Sequence, residues 1–156
     1  MSIQPLELLN ECLSATISLY DTGIAIPASE VYFLPFVLYG KCFDAFGSAI
    51  RLCLFEGQGW DKHFARKQIN VLAALEDSAQ RLRDAYVIYG PGKNTGVFSQ
   101  SNNKLDRLKQ AYEARLARES KEHTKTTEDN GHNLFSLSFL DTLNDGFWYD
   151  LEEYTL

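Results

Sequence analysis

The sequence predicts an all-α fold of about four helices with an acidic, aromatic C-terminal tail. Three observations predict it. Apolar residues recur at spacings of three and four in four separate segments. Stretches rich in Gly, Pro and Asp punctuate those segments. No run alternates apolar and polar residues strongly enough to read as a strand.

Helix one is expected over about 5–20. Pro5 suits a first helical turn, and Leu6, Leu9, Leu13, Ile17 and Tyr20 then fall on one side. Asp21-Thr22-Gly23 is expected to end it, and Ile24–Ser29, with Pro27, connects it to the next helix. Helix two begins between Ser29 and Pro35, because a proline disfavours helix at the residue before it. Its run Tyr32–Phe55 is the most apolar part of the chain and is interrupted by three charges, Lys41, Asp44 and Arg51. Helical spacing places these with Ser48 on one narrow stripe, so every other face should be covered. This is the expected central helix. Its stripe reads as an ion pair or solvated seam rather than a ligand contact. Three charges, together with Pro35, Gly40 and Gly47, argue against a lipid span.

Gly57-Gln58-Gly59 should stop helix two, and Asp61 should cap helix three over about 61–89. So short a link implies an antiparallel hairpin of helices two and three. The expected buried stripe of helix three is Leu72, Leu75, Ala79, Leu82, Tyr86 and Tyr89. Gly90–Gly96 reads as a loop. Helix four follows over about 102–118 with Leu105, Leu108, Tyr112 and Leu116 inward. The expected organisation is a helical domain over 1–118, a polar linker over 119–133 and the tail over 134–156.

The chain has 156 residues, 45% hydrophobic and 13% aromatic, enough to bury a core. Its net charge of −6 argues against binding nucleic acid or an anionic membrane through a basic surface. Charge is uneven: 60–118 carries eleven basic and six acidic residues, whereas 119–156 carries two and nine. Cys12, Cys42 and Cys53 form no CxxC pair and are read as buried free thiols in a reducing compartment. The N-terminus lacks signal-peptide features and there is no N-x-[ST] sequon, which fits an intracellular protein.

No constellation specifies an enzyme, a metal or a cofactor. Gly92-Lys93 followed by Thr95 lacks the spacing and the preceding strand of a phosphate-binding loop. Asp141–Glu152 places Asp145, Gly146 and Glu152 in calcium-loop register, but Leu143 occupies a position that needs an oxygen ligand. His63, His123 and His132 have no metal-ligand spacing.

The sharpest functional feature is the tail. Phe135, Phe139, Phe147, Trp148, Tyr149 and Tyr154 interleave with Asp141, Asp145, Asp150, Glu152 and Glu153. Acidic-hydrophobic alternation is the composition of activation segments, in which repulsion keeps aromatic side chains accessible to a partner groove. The residues expected to meet that partner are Phe139, Leu140, Leu143, Phe147, Trp148, Tyr149 and Leu151. The competing reading is an amphipathic helix capped by Ser138, with Asp141 three residues on, docked on its own domain.

The run FLPFVLYGKCFDAFGSAIRLCLF, followed by WDKHFARKQINVLAALEDSAQRLRDAY, resembles the C-terminal part of the fungal-specific regulatory domain of zinc binuclear-cluster transcription factors. The likeness covers roughly Ile24–Leu116. It lies in the aliphatic end of the first helix, in Ala65-Arg66 opening the next, and in Leu72-Ala73-Ala74-Leu75. It implies a non-enzymatic helical regulatory module of a nuclear, DNA-binding activator, with protein partners in the transcription machinery. The six-cysteine zinc cluster is absent, so direct DNA binding by this chain is not expected. The alternative is a stand-alone helical adaptor or oligomerisation protein, in the nucleus or the cytoplasm. Small-ligand binding between helices two and three is a third reading, resting on aromatic content.

Overall fold

A computed structural model describes residues 5–90 and 96–123, which are all-helical and contain no strand. The elements are α1 (Pro5–Ala25), α2 (Ala28–Val31), α3 (Phe36–Leu54), α4 (Lys62–Gln68), α5 (Val71–Tyr89) and α6 (Gly96–His123). Residues up to Glu119 belong to one compact unit. The tail residues Phe139 to Leu151, the stretch Asp141–Glu152 and most of the Gly90–Gly96 loop lie outside the described residues.

α1 runs five residues beyond the expected stop. Asp21-Thr22-Gly23 stays helical, with Thr22 Oγ1 donating to the Ser18 carbonyl at 2.8 Å. Gly23 is a site of close approach, since a Cβ there would stand 3.9 Å from Cys42 Sγ on α3. What ends α1 is Pro27, which lacks the N–H needed to continue the helical ladder. Pro35 does the same one segment later. The expected helix two is therefore two elements, a single turn of α2 and then α3, with Pro27 and Pro35 each standing immediately before a helix in extended backbone.

α3 supplies the centre of the core through Phe46, Ala49, Ile50, Leu52, Cys53 and Leu54. Its charged stripe faces solvent, with Lys41 and Asp44 paired at 3.7 Å. The expectation that all other faces are covered fails at the first turn, where Val37 and Leu38 are exposed. The expected hairpin partner also changes. α3 lies chiefly against α1 and then α4, while α5 packs mainly on α2.

The turn after α3 explains part of this. Gly59 has φ 82°, and a Cβ there would meet Leu6 Cδ1 at 2.8 Å, so the turn is pressed onto the start of α1. The last carbonyls of α3 accept from side chains beyond the turn. Trp60 Nε1 donates to Leu52 O at 2.9 Å, and Arg66 Nε donates to Cys53 O at 2.8 Å. A guanidinium suits the negative end of a helix.

Asp61 caps α4 as expected, accepting from the His63 and Phe64 amides at 2.9 and 3.0 Å. The expected helix over 61–89, however, breaks at Ile69-Asn70. The Asn70 side chain accepts from Ala73 N at 3.2 Å and starts α5 afresh. α5 then buries Val71, Ala74, Leu75, Ala79, Leu82 and Ala85. Leu75, Ala79 and Leu82 match the expected stripe, whereas Leu72 is half-buried and Tyr86 exposed. The restart at Asn70 turns the inner face toward the small residues.

α6 begins at Gly96, six residues earlier than expected, and runs to His123. Phe98 and Ser101 in the added turns are buried along with Leu105, Leu108 and Tyr112. Leu116 is half-buried. The reading of three buried cysteines is corrected as well. All three thiols are free, but only Cys53 is buried, Cys42 is half-buried and Cys12 is exposed.

Candidate functional site

Two features of the helical body stand out, and both involve the stretch Val31–Tyr39 that Pro35 divides. Its outward side is an apolar shoulder. Tyr32 stacks on Tyr89 with ring centroids 4.6 Å apart, and Phe33 meets the same ring edge-on at 5.6 Å. Tyr32 and Tyr39 each reach Phe98 at the start of α6, at 6.0 and 6.4 Å. The Tyr89 hydroxyl donates to Ser29 O and the Tyr39 hydroxyl to Val31 O. A short α2 thus gains from aromatic packing the fixity its own hydrogen bonds cannot supply. Around this cluster large apolar side chains remain open: Phe33 is 70% exposed, Val37 56%, Val87 80% and Ile88 54%. Isolated exposed hydrophobics are ordinary; here Phe33 and Val37 flank Pro35, and Val87 and Ile88 stand beside Tyr89 in the last turn of α5.

The inward side of the same stretch lines an apolar pocket of about 100 Å³. α1 contributes Thr16, Leu19, Tyr20, Gly23 and Ile24. The Val31–Ala49 stretch contributes Val31, Leu34, Leu38, Tyr39, Cys42, Phe43 and Phe46, and α5 contributes Ser78, Arg81 and Leu82. Several polar side chains in the wall are already engaged. Thr16 Oγ1 donates to Cys12 O at 2.8 Å, the Tyr20 hydroxyl to Asp77 Oδ2 at 3.1 Å, and Arg81 to Ile26 O. Burial, reinforced by Asp77, pushes the Tyr20 phenol up to about 12. Burial does the same to Tyr39, also about 12, and raises the Cys42 thiol.

The charged clusters look structural. Arg66 pairs with Glu119 at 2.7 Å, and Lys62 joins both Glu119, at 3.6 Å, and Glu56. On the other side Glu76 receives Arg83 at 2.9 Å and Lys109 at 2.6 Å, tying α5 to α6. Among the described residues no three His, Cys, Asp or Glu side chains converge on a metal-sized site, and no helix is long and apolar enough to cross a membrane.

None of the expected partner-binding residues, Phe139, Leu140, Leu143, Phe147, Trp148, Tyr149 and Leu151, lies among those described. Sequence reasoning did not single out Val87 and Ile88, although one signal pointed to them. Val87 and Ile88 are β-branched residues standing off the inner stripe of an amphipathic helix. The pocket had a weaker signal in Gly23, Ala45 and Ala49, small residues facing one another from neighbouring helices. Set against protein-family models, curated proteins and solved structures, the chain matches none.

Proposed function

We propose that this chain is a non-enzymatic helical interaction module that engages a protein partner through apolar surface. The observation that carries the reading is the exposure of Phe33, Val37, Val87 and Ile88, each more than half open. Fully burying one such side chain is worth up to ~1.5–3 kcal/mol, so covering several offsets part of the freedom lost on association. The resemblance over Ile24–Leu116 supports transcription regulation in the nucleus as the setting, with no direct contact to nucleic acid. The tail's composition supports an activation-like role for Phe139 through Leu151. Fusing 119–156 to a heterologous DNA-binding domain tests that role. Reporter activity indifferent to Ala at Phe147, Trp148 and Leu151 removes it.

The second reading is a stand-alone adaptor or oligomerisation protein, and the same shoulder favours it because an apolar patch can cover its own copy across a two-fold axis. Light scattering of the full chain over a range of concentrations separates the two. A discrete dimer that Phe33→Ser and Val87→Ser dissolve favours self-association. A monomer whose shoulder stays free at every concentration leaves the heterologous partner.

A further inference from the structure

We propose that the pocket between α1, α3 and α5 is a binding site for a small uncharged apolar molecule, about the size of a single aromatic ring. This site is separate from the shoulder and does not depend on the interaction reading. Size comes first. Apolar cavities of roughly 150 Å³ in other proteins stay dry and take up benzene. This one measures about 100 Å³, and its rim includes the partly open Leu19 and Leu38, so a ring can enter with one edge toward the mouth.

The wall chemistry then narrows the occupant. Among the described residues no Asp, Glu or His lines the pocket, which disfavours metal ions and cationic ligands. An anion would need Arg81, but that side chain is bonded to Ile26 O. Water is a poor tenant too, because a buried water needs two to four polar partners. Thr16, Tyr20, Tyr39 and Arg81 are already committed to protein acceptors, and the Ser78 hydroxyl by itself falls short of that number. What remains is surface from Leu34, Leu38, Phe43, Phe46 and Leu82, which gains dispersion contacts only when apolar atoms fill the space.

Cys42 in the wall reports occupancy, and exposed Cys12 is its internal control. The test titrates toluene into the full chain and follows the melting temperature together with thiol modification of each cysteine by mass spectrometry. Toluene should raise the melting temperature saturably. At ten times its Kd only about one site in eleven is open, so Cys42 modification should slow about tenfold while Cys12 is unchanged. Benzoate, the charged counterpart, should do neither. Gly23→Ala is the matched variant, since its added methyl sits at ordinary contact, 3.9 Å from Cys42 Sγ, and takes up pocket space without a clash. It should fold and bind toluene several-fold more weakly. No saturable shift, equal slowing of Cys12, an equal effect of benzoate, or unchanged toluene affinity in Gly23→Ala would each overturn the proposal.

Discussion

At Gly59 two constraints coincide, a φ of 82° and Leu6 Cδ1 only 2.8 Å from where a Cβ would stand. The left-handed backbone alone makes any other residue unfavourable by ~1–2 kcal/mol, and relief of the Leu6 contact adds to it. Gly59→Ala should therefore lower unfolding stability by at least that much in a urea titration. Asn70→Ala removes the side chain that starts α5 and should cost ~1 kcal/mol by the same measurement. These two positions differ in how legible they are. The Gly57-Gln58-Gly59 turn and the Asp61 cap could be read from sequence because turn and cap chemistry act within a few residues. Asn70 could not, because it sits inside an unbroken helical pattern. Whether its side chain or a backbone carbonyl claims the next amides depends on burying Ile69, which is a tertiary matter.

At the scale of elements, lengths were less legible than faces. Leu105, Leu108 and Tyr112 of α6 and Leu75, Ala79 and Leu82 of α5 follow directly from periodicity. The extension of α1 through Gly23 does not, since a glycine reads as a stop unless the neighbouring helix is known to approach it. The joins between elements carry the pH dependence. Lys109, then Arg83, holds the Glu76 carboxyl below its ordinary range, and Glu76 in turn raises Lys109. The Glu76 contribution is present above the ordinary carboxyl pKa and is lost as pH falls through the depressed value. The Lys109 contribution is present at neutral pH and is lost as pH climbs past the raised ammonium value. At the alkaline end the phenols of Tyr20 on α1 and Tyr39 on α3, ordinarily near 10.0, are pushed up to about 12. A folded state that holds its protons more tightly than the unfolded chain loses stability as they are titrated off. The urea midpoint should fall steadily between about pH 10 and 12. A flat midpoint across that window would contradict the buried placement of both rings.

At the scale of the whole molecule, the all-α class was legible and the packing partners were not. Periodicity reports that a helix has an inner face but not which helix meets it, so the α1–α3 pairing came from the structure alone. Which residues of the apolar run lie open escaped for the related reason that its character does not distinguish Phe33 and Val37 from their buried neighbours. If the shoulder drives association, Val87→Ser should shift the full chain toward monomer without lowering the melting temperature of the monomer, because that side chain is 80% exposed. A large fall in the monomer's melting temperature would instead make it part of the core.

The contact between Arg66 and Glu119 has a practical consequence for dissecting the chain. A fragment ended at Arg118 forfeits the acceptor shared by Arg66 and Lys62, leaving one guanidinium edge on Cys53 O and one ammonium on Glu56. Those side chains are mostly shielded, so the loss should lie between the values for exposed and fully buried pairs, ~1–3 kcal/mol. The C-terminal border of a minimal fragment is thus drawn by an electrostatic latch one residue beyond where composition would place it. A 1–123 fragment should outlast 1–118 against protease, and equal lifetimes would show the latch to be idle.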